Sequence, residues 1–270
     1  MFLCPVCGKP LDDGAKTRTC PNGHCYDRSA HGGYVNLLKT NRRGSAVPGD
    51  SPEMCRARTR FLEKGYYSAL RDALCDAVSR IPSRRILDAG CGEGYYTAAV
   101  AETLRGNGSS AQILGVDLSK AALRRAGKRC PEAEFALASL FALPLADHAV
   151  DVVLHLFAPM CAPEFRRVLS EGGTLITVKP GSDHLWGLKQ ALYERPYPND
   201  EEQAEYPDFQ WMGRTFAEDE ITIDCGEDIQ ALYQMTPYAW KTAKDAAERL
   251  RSLDTLTTKI SFVLDLYLAV

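Results

Sequence analysis

The fold of this chain is decided by one stretch of sequence, Leu87-Asp88-Ala89-Gly90-Cys91-Gly92-Glu93-Gly94-Tyr95. The residues before the glycines predict a strand at 85–88, and those after them predict a helix at 95–104. Three glycines at alternate positions allow the backbone to turn sharply and to pass close to a ligand. Their spacing is G-x-G-x-G, whereas dinucleotide-binding enzymes have G-x-G-x-x-G, so a nucleotide-dependent dehydrogenase is disfavoured.

Strands and helices alternate on the carboxyl side of this turn. Further strands are predicted at 112–117, 133–138, 150–155 and 174–178, and further helices at 119–128 and 163–169. Near-continuous apolar strands separated by helices are typical of a parallel sheet that is covered on both faces. The sequence therefore predicts the α/β class, with a doubly wound, mostly parallel, Rossmann-like sheet.

The regions that flank this core are less regular. Apolar residues recur at helical spacing over 56–81, and Pro82 ends that pattern. Residues 194–229 contain 12 Asp and Glu against only Arg195 and Arg214. This composition predicts a solvated insertion or an edge of the sheet.

An acid, Asp117, lies at the end of the second predicted strand. An acid at this place in the dinucleotide fold accepts hydrogen bonds from ribose hydroxyls. Together with the glycine turn, it resembles the class I methyltransferases, which use S-adenosylmethionine. The resemblance implies that the turn lines the cofactor and that Asp117 holds its ribose. The residues of the turn that would line the cofactor are Asp88, Gly90, Gly92, Glu93 and Gly94.

The third predicted strand departs from the pattern of that class. Its members often carry an acid there, beside the adenine, whereas this chain has Ala138-Ser139-Leu140. The following Leu143-Pro144-Leu145 does resemble the Leu-Pro-Phe segment that is common in the class. The sequence therefore offers no acid for the adenine contact at this position.

Four of the ten cysteines fall within the first 25 residues, in the pattern Cys4-Pro-Val-Cys7 and Cys20-Pro-Asn-Gly-His24-Cys25. A Cys-x-x-Cys turn presents two thiolates to one metal ion, and a second pair can complete a tetrahedron. A segment of about thirty residues buries little core, so bound Zn²⁺ would supply folding energy that it lacks. The sequence predicts a small N-terminal zinc-binding domain, with either His24 or Cys25 as the fourth ligand.

Charge is distributed unevenly along the chain, although the net charge is only −3. Residues 1–85 hold 15 Lys and Arg against 8 Asp and Glu, and residues 86–270 hold 17 against 27. A basic N-terminal third on an acidic body indicates a nucleic-acid contact at one end. The candidates for phosphate contacts are Arg42, Arg43, Arg56, Arg58 and Arg60.

Neither a membrane-spanning run nor the basic start and apolar stretch of a signal peptide is found in the sequence. We therefore expect a cytoplasmic location and no membrane contact. A homodimer is left open by the sequence.

Short segments over nearly the whole length resemble the bacterial 23S ribosomal RNA guanine-N1 methyltransferases of the RlmA type. The matching segments are Cys4-Pro-x-Cys7, Cys20-Pro-x-x-His24, Gly33-Tyr34-Val35-Asn36-Leu37-Leu38, Pro48-Gly49-Asp50, Gly90 to Tyr96, Ala158-Pro159, His184-Leu185 with Lys189, and Gln234-Met235-Thr236-Pro237 with Trp240. The resemblance implies zinc ligands at Cys4, Cys7, Cys20 and His24, and cofactor contacts at Tyr67, Gly92, Glu93 and His184. It also implies 23S ribosomal RNA as the partner and three regions: a zinc-binding, RNA-recognising module at 1–36, a basic connector at 37–60 and the methyltransferase domain at 61–270.

Methylation of N1 of guanine sets two chemical demands. This atom lies on the Watson–Crick edge, so the enzyme must find an unpaired base or extrude one and stack it on an aromatic side chain. The N1 proton must also leave as the methyl group arrives, and Asp50 and His184 are candidate acceptors. Alternatively, Asp50 caps a turn and His184 contacts the cofactor alone. The aromatic candidates for stacking are Tyr34, Tyr66, Tyr67, Tyr95, Tyr96, Phe157 and Trp240.

Two other functions compete with this one. The chain could methylate another RNA or a small molecule, with the zinc module purely structural. It could also be a zinc-ribbon binding protein whose cofactor fold is degenerate. The intact glycine turn and Asp117 argue against the second alternative.

Overall fold

The computed structural model describes residues 1–14, 16–29, 33–38 and 49–270. The strands are β1 (Thr17–Thr19), β2 (Cys25–Asp27), β3 (Tyr34–Asn36), β4 (Arg85–Ala89), β5 (Gln112–Asp117), β6 (Glu134–Leu137), β7 (Val150–Leu156), β8 (Leu169–Pro180), β9 (Phe209–Ile223) and β10 (Leu256–Ala269). The helices are α1 (Pro52–Glu63), α2 (Ser68–Ser79), α3 (Tyr95–Gly106), α4 (Lys120–Arg129), α5 (Ala162–Val168), α6 (Trp186–Leu192), α7 (Gly226–Gln234), α8 (Tyr238–Lys241) and α9 (Lys244–Arg251).

Eight strands form one sheet in the order β3-β6-β5-β4-β7-β8-β10-β9. The first six are parallel to one another, and β10 runs antiparallel to both β8 and β9. From β4 the chain first adds strands on one side and then returns to add β7 on the other. This reversal leaves a crevice at the carboxyl ends of β4 and β7, where open α/β sheets bind their ligands. The predicted fold class is confirmed.

The sheet separates two hydrophobic cores. Successive strand residues point to opposite faces, so Ile86 belongs to one core and Leu87 to the other. The first core is closed by helices such as α1 and α2, which contribute Phe61 and Leu70. The second is closed by α5 and by the N-terminal segment, whose Phe2 is fully buried. The chain is thus wound on both faces of the sheet, and the N-terminal segment covers part of one of them.

The N-terminal segment is joined to the sheet by strand pairing as well as by packing. β3 pairs in parallel with β6, and the Leu3 amide donates to the Pro144 carbonyl at 2.8 Å. Arg18 forms an ion pair with Glu134 of β6 at 2.9 Å. The first 36 residues therefore share a core with the methyltransferase fold, and the predicted boundary at residue 36 falls at the end of a strand of the central sheet.

The helical pattern predicted over 56–81 is broken into two helices, α1 and α2. Gly65 lies between them with φ +81°, a left-handed conformation that ends a helix and favours glycine. The first helix begins at Pro52, capped by the Ser51 hydroxyl, so the end of the predicted connector is helical. Residues 39–48 of that connector lie outside the described residues. The break brings Tyr67 to the start of the second helix.

The acidic region at 194–229 contains β9, the outermost strand of the sheet, as the alternative of edge structure predicted. Sequence reasoning missed the two longest strands, β9 and β10. A dense apolar run over 256–269 was the available signal for β10. The antiparallel order of these strands follows from pairing between distant segments, which no local pattern specifies.

Candidate cofactor site and metal centre

A cavity of about 430 Å³ lies at the carboxyl ends of β4, β5 and β7. It collects residues from nine separate stretches of the chain, including loop 49–50, helix α1 and the segment after α7. The predicted site residues that line it are Asp50, Tyr67, Asp88, Gly90, Gly92, Glu93, Asp117 and His184. Gly94 is not among the lining residues and precedes helix α3 as its N-cap. The structure thus brings together both candidate proton acceptors and seven of the eight predicted cofactor residues.

The glycine turn has a backbone that only glycine adopts without strain. Gly90, Gly92 and Gly94 have φ values of +90°, +54° and +76°. A Cβ on Gly90 would lie 2.6 Å from the Cβ of Ala158, and one on Gly94 would lie 2.9 Å from the Cα of Ala126. The three glycines therefore keep the turn close to β7 on one side and to α4 on the other.

Asp117 braces the turn from the end of β5. Its Oδ2 accepts from the Gly92 amide at 3.0 Å, and its Oδ1 accepts from the Ser119 amide at 2.7 Å. Burial raises the pKa of the Asp117 carboxyl, and these two amide donors oppose that shift. Each carboxylate oxygen can still accept a further hydrogen bond, as binding of a ribose diol requires.

Two further acids of the turn are buried. Asp88 accepts from the Thr97 hydroxyl at 2.6 Å, and burial raises the pKa of its carboxyl to about 7 against that hydrogen bond. Glu93 is held by Arg129 at 2.6 Å and by the Thr59 hydroxyl. The Glu93 carboxylate is therefore already neutralised by protein groups.

His184 is neutral, and both of its ring nitrogens are engaged. Nδ1 accepts from the Ser261 amide at 3.2 Å, which leaves the ring proton on Nε2. Nε2 lies 3.3 Å from the Tyr67 hydroxyl. Burial, with Lys189 nearby, lowers the pKa of His184 to about 3. Both ring nitrogens are thus engaged within the protein, which favours the alternative in which His184 contacts the cofactor alone, and its role as a general base stays a prediction.

Asp50 forms an ion pair with Arg58 inside the cavity. Its backbone carbonyl accepts from the Ser119 hydroxyl at 2.8 Å, which ties this loop to the end of β5. Burial lowers the pKa of the Arg58 guanidinium, but Asp50 raises it further, and the net shift is upward. The pair lies in the cavity beside the cofactor turn.

The residues present fit S-adenosylmethionine. The glycine turn offers a close backbone approach, Asp117 offers acceptors for a ribose, and the wall is largely apolar. Tyr95 and Tyr96 line this cavity, and the Tyr96 hydroxyl is buried without a protein hydrogen-bond partner among the described residues. Buried hydroxyls require a partner, which a polar cofactor supplies.

The N-terminal segment gathers a set of metal ligands. Atoms of Cys4, Cys7, Cys20 and His24 all lie within 4.8 Å of one another. The Cys7 and Cys20 sulfurs are 3.6 Å apart, and the Cys20 sulfur is 3.3 Å from Nδ1 of His24. These separations fit the edges of a tetrahedron around Zn²⁺ with bonds of about 2.0–2.3 Å.

Two neighbouring residues complete the description of this centre. Cys25 is exposed on β2 and lies outside the cluster, so the geometry selects His24 as the fourth ligand. The Tyr26 hydroxyl lies 3.0 Å from the Cys4 sulfur. A donor to a thiolate at this distance orients the ligand and stabilises its charged form.

Comparison with known proteins decides the family. Residues 86–175 match the model of a methyltransferase domain, and residues 2–46 match the model described as RlmA, N-terminal. A 23S rRNA (guanine(748)-N(1))-methyltransferase of Streptomyces fradiae is 39% identical over 194 residues, which are 70% of this chain and 66% of that protein, just under two thirds of its length. A putative 23S rRNA (guanine-N(1)-)-methyltransferase of Bacillus subtilis is 33% identical over 264 residues, which cover 94% and 92% of the two chains.

The chain belongs to the 23S ribosomal RNA guanine-N1 methyltransferase family. It is an S-adenosylmethionine-dependent methyltransferase with an RlmA-type zinc ribbon. The crystal structure of the YcgJ protein from Bacillus subtilis, at 14% identity and a TM-score of 0.50, covers 76% of this chain and 99% of that one and shares the fold. No helix among the described residues is long and apolar enough to cross a membrane.

Three arginines that were predicted to contact RNA are paired in this family member. Arg60 binds the buried Asp228, Arg58 binds Asp50, and Arg56 binds Glu53 at 2.9 Å. Arg42 and Arg43 lie outside the described residues. The excess of positive charge in the first 85 residues therefore overstates the charge that is free to meet phosphates, because part of it balances acids within the fold.

Other lining residues had no local signal in the sequence. Leu62, Met235, Thr236 and Phe262 reach the cavity from α1, from the segment after α7 and from β10. Leu140, in the segment where an acid is common in this class, lines the cavity with an apolar side chain. Only tertiary packing brings these positions beside the glycine turn.

Proposed function

We propose that this chain transfers the methyl group of S-adenosylmethionine to N1 of a guanine in a stem-loop of 23S ribosomal RNA. The observation that carries the proposal is one cavity with the cofactor turn on one wall and an exposed aromatic side chain on another, in a member of this family. When bound, the cofactor supplies an electrophilic methyl group, and the chain's own residues hold the acceptor in line with it.

Phe157 is the side chain that best meets the extruded base. It lies at the carboxyl end of β7, lines the cavity and is 50% exposed. Its φ of +55° places a bulky residue in the left-handed region, where such residues are rare. Strain of this kind persists where the surrounding structure requires it, and it clusters at ligand sites. Its ring packs against Phe262, with centroids 5.7 Å apart, which leaves the other face of the ring for a guanine.

Substitution at Phe157 tests this part of the proposal. Because a base stacked on an aromatic ring gains about 1–3 kcal/mol, Phe157→Ala should lower kcat/KM for RNA by about 5- to 150-fold. Phe157→Tyr should retain most of it, and calorimetric binding of S-adenosylmethionine should not change. Phe141→Ala is the matched control, since Phe141 is also exposed but does not line the cavity. Equal effects of the two alanine variants would exclude a stacking role for Phe157.

Of the two predicted proton acceptors, Asp50 is favoured, because both ring nitrogens of His184 are already engaged. Its Oδ2 is paired with Arg58, whereas no described side chain donates to its Oδ1. Asp50→Asn should lower kcat about 100-fold, as loss of a general base does, with little change in the KM for RNA. The acid limb of the pH–kcat profile should disappear in the same variant. An unchanged profile would show that the N1 proton leaves to water.

Reverse transcription of 23S RNA provides the main test of the target. N1-methylguanine blocks copying. On RNA from cells that contain this protein, reverse transcriptase should therefore stop one nucleotide before the modified base. RNA from cells lacking the gene should cause no such stop. The Streptomyces fradiae relative is named for guanine 748, and we propose the equivalent base here. Arrest elsewhere would change the target base, and no arrest at all would favour another RNA or a small molecule.

A further part of the proposal is that the basic connector contacts the phosphates of the RNA. We assign phosphate contacts to Arg42 and Arg43, because Arg56, Arg58 and Arg60 are paired within the fold. Arg42→Ala with Arg43→Ala should weaken RNA binding and flatten its salt dependence by about two phosphate contacts. Cofactor binding should not change. A salt slope equal to that of the unaltered protein would place the contact elsewhere.

Assembly and location are further parts of the proposal. β9 is the outer strand of the sheet, and it exposes Trp211, Met212 and Phe216. Long edge strands with exposed apolar residues favour pairing with another chain, so we propose a homodimer through this edge in the cytoplasm, where ribosomal RNA is found. Light scattering after size exclusion should give a dimer mass, and Phe216→Lys should halve it. A monomeric unaltered protein would exclude this interface.

A further inference from the structure

Four acidic side chains and a single basic one are among the described residues that line the cofactor cavity. Asp50, Asp88, Glu93 and Asp117 contribute carboxyl groups, and Arg58 contributes the one guanidinium. S-adenosylmethionine at neutral pH carries two positive groups, the sulfonium and the α-ammonium, and one negative group, the α-carboxylate. The acids suit the positive groups. The carboxylate requires a cation, which the described cavity offers at Arg58.

The position of Arg58 matches this demand. Helix α1 projects its side chain over the glycine turn, so that a Cβ built on Gly92 would lie 4.0 Å from Nη1 of Arg58. The side chain is 27% exposed and faces the cavity rather than open solvent. In the class I methyltransferases that this chain resembles, the glycine turn holds the methionine part of the cofactor. The Arg58 guanidinium lies beside the middle of this turn, at Gly92.

The remaining hydrogen-bonding capacity of Arg58 also matches. A guanidinium has five N–H donors in a planar fork, and the described residues give Arg58 one partner, Asp50. The other donors are free to bind a carboxylate through two parallel hydrogen bonds, the geometry for which arginine is suited. Asp50 binds Nη1 of Arg58 and so helps to fix the direction of the side chain.

We propose that Arg58 binds the α-carboxylate of S-adenosylmethionine and is a cofactor residue rather than an RNA contact. The inference rests on the cofactor assignment within the proposed function and does not depend on which RNA is methylated. It also explains why a cation is retained among four acids: the cavity must bind the amino-acid end of the cofactor and not merely its adenosine.

Two ligands without net charge distinguish binding of the α-carboxylate by Arg58 from a general effect of the substitution on the site. S-adenosylhomocysteine carries the α-carboxylate, whereas 5′-methylthioadenosine lacks the whole amino-acid part. In calorimetric titrations, Arg58→Gln should raise the Kd of S-adenosylhomocysteine about 10- to 100-fold, as loss of a charge-assisted pair of hydrogen bonds does. The Kd of 5′-methylthioadenosine should change by less than about threefold, because this ligand makes no hydrogen bond to the guanidinium. For Arg58→Lys, the Kd of S-adenosylhomocysteine should lie between that of the unaltered protein and that of Arg58→Gln.

Arg56→Gln is the matched control, since Arg56 lies on the same helix, is exposed and, among the described residues, pairs only with Glu53. It should leave both ligands unaffected. If Arg58→Gln fails to fold because Asp50 is left unpaired, Asp50→Asn with Arg58→Gln removes both charges and allows the same comparison. An equal loss for both ligands, or no loss for S-adenosylhomocysteine, would overturn the proposal.

The same variant decides between the cofactor and RNA. If Arg58→Gln bound S-adenosylhomocysteine normally but showed a flatter salt dependence of RNA binding, Arg58 would be a phosphate contact. All the calorimetric titrations are made without RNA. Their failure would therefore leave the proposed ribosomal RNA target intact, and failure of the reverse-transcription test would leave the assignment of Arg58 intact.

Discussion

At the scale of single residues, the cofactor turn is limited by backbone space. Gly90 combines a left-handed backbone with a side-chain position that Ala158 already fills. Gly108 has a similar φ of +76° but has open space around it. The pair therefore separates conformational strain from steric contact.

Gly90→Ala should destabilise the protein by about 1–3 kcal/mol and abolish binding of S-adenosylmethionine, because both strain and a close contact are introduced. Gly108→Ala should lower stability by about 1 kcal/mol and leave binding intact. Adding Ala158→Gly to Gly90→Ala should recover the steric part of the loss. Urea unfolding and calorimetry measure the two effects, and equal losses in the two single alanine variants would contradict the steric argument.

Asp88 makes stability depend on pH. Burial raises its folded pKa from 3.8 to about 7, so the folded state binds a proton that the unfolded state releases between these values. The contribution of the protonated carboxyl to stability is thus fully present below about pH 4 and is lost as the pH rises to about 7. Asp88→Asn, which keeps an acceptor for Thr97, removes this dependence.

We expect the free energy of unfolding of Asp88→Asn, relative to the unaltered protein without cofactor, to rise between pH 4 and pH 7 and then to level off. Urea unfolding across this range measures the difference. Parallel pH curves for the two proteins would show that Asp88 is ionised throughout in the folded state.

At the scale of elements, helix α1 is fixed to helix α7 by a buried acid. Asp228 is almost fully buried and accepts from Arg60 and from the Tyr66 hydroxyl. The Arg60 side chain is 40% exposed. Helix α7 leads directly to Met235 and Thr236, which line the cavity, so this contact helps to shape the cofactor site.

The two partners should differ when they are removed singly. Arg60→Met leaves a buried carboxylate without its cation, whereas Asp228→Asn leaves an arginine that water can solvate. Arg60→Met should therefore lower the urea midpoint clearly more than Asp228→Asn, and it should weaken S-adenosylmethionine binding. Arg60→Lys should restore most of the loss. A larger loss in Asp228→Asn would mean that solvation of Arg60 is not the controlling factor.

At the scale of the whole molecule, the zinc ribbon is part of the core. The buried Phe2 and Leu11 pack in the same cluster as Ala136 and Leu140, and β3 extends the central sheet. A domain lacking residues 1–36 would lose a strand and expose this cluster. We therefore expect the zinc ribbon and the methyltransferase fold to unfold together.

Removal of zinc should lower the melting temperature of the entire chain by roughly 5–10 °C in a single transition, since the metal stabilises a segment that closes the second core. His24→Ala should have the same effect, and Cys25→Ser should have none. Calorimetry with and without a chelator measures the shift. Two separate transitions would show that the ribbon and the methyltransferase fold are independent.

The sequence by itself determined the class of fold, the glycine turn and three of the four metal ligands. These features depend on short-range chemistry: alternation of apolar segments, backbone freedom at Gly90 to Gly94, and thiolates a few residues apart. It also placed Asp117, because a strand end is a local position. Such patterns do not require knowledge of the rest of the chain.

Only the tertiary structure decided the contents of the cavity and the protonation of its groups. Arg58 lies in a basic stretch of sequence that resembles an exposed surface. In the structure it pairs with Asp50 and lines the cofactor cavity. His184 is an ordinary histidine in sequence, and its Nδ1 accepts from an amide of β10 that is 77 residues away. Long-range pairing and burial set these properties. The pKa of a side chain, and the number of its hydrogen-bonding groups that remain unused, depend on neighbours that folding brings from distant segments.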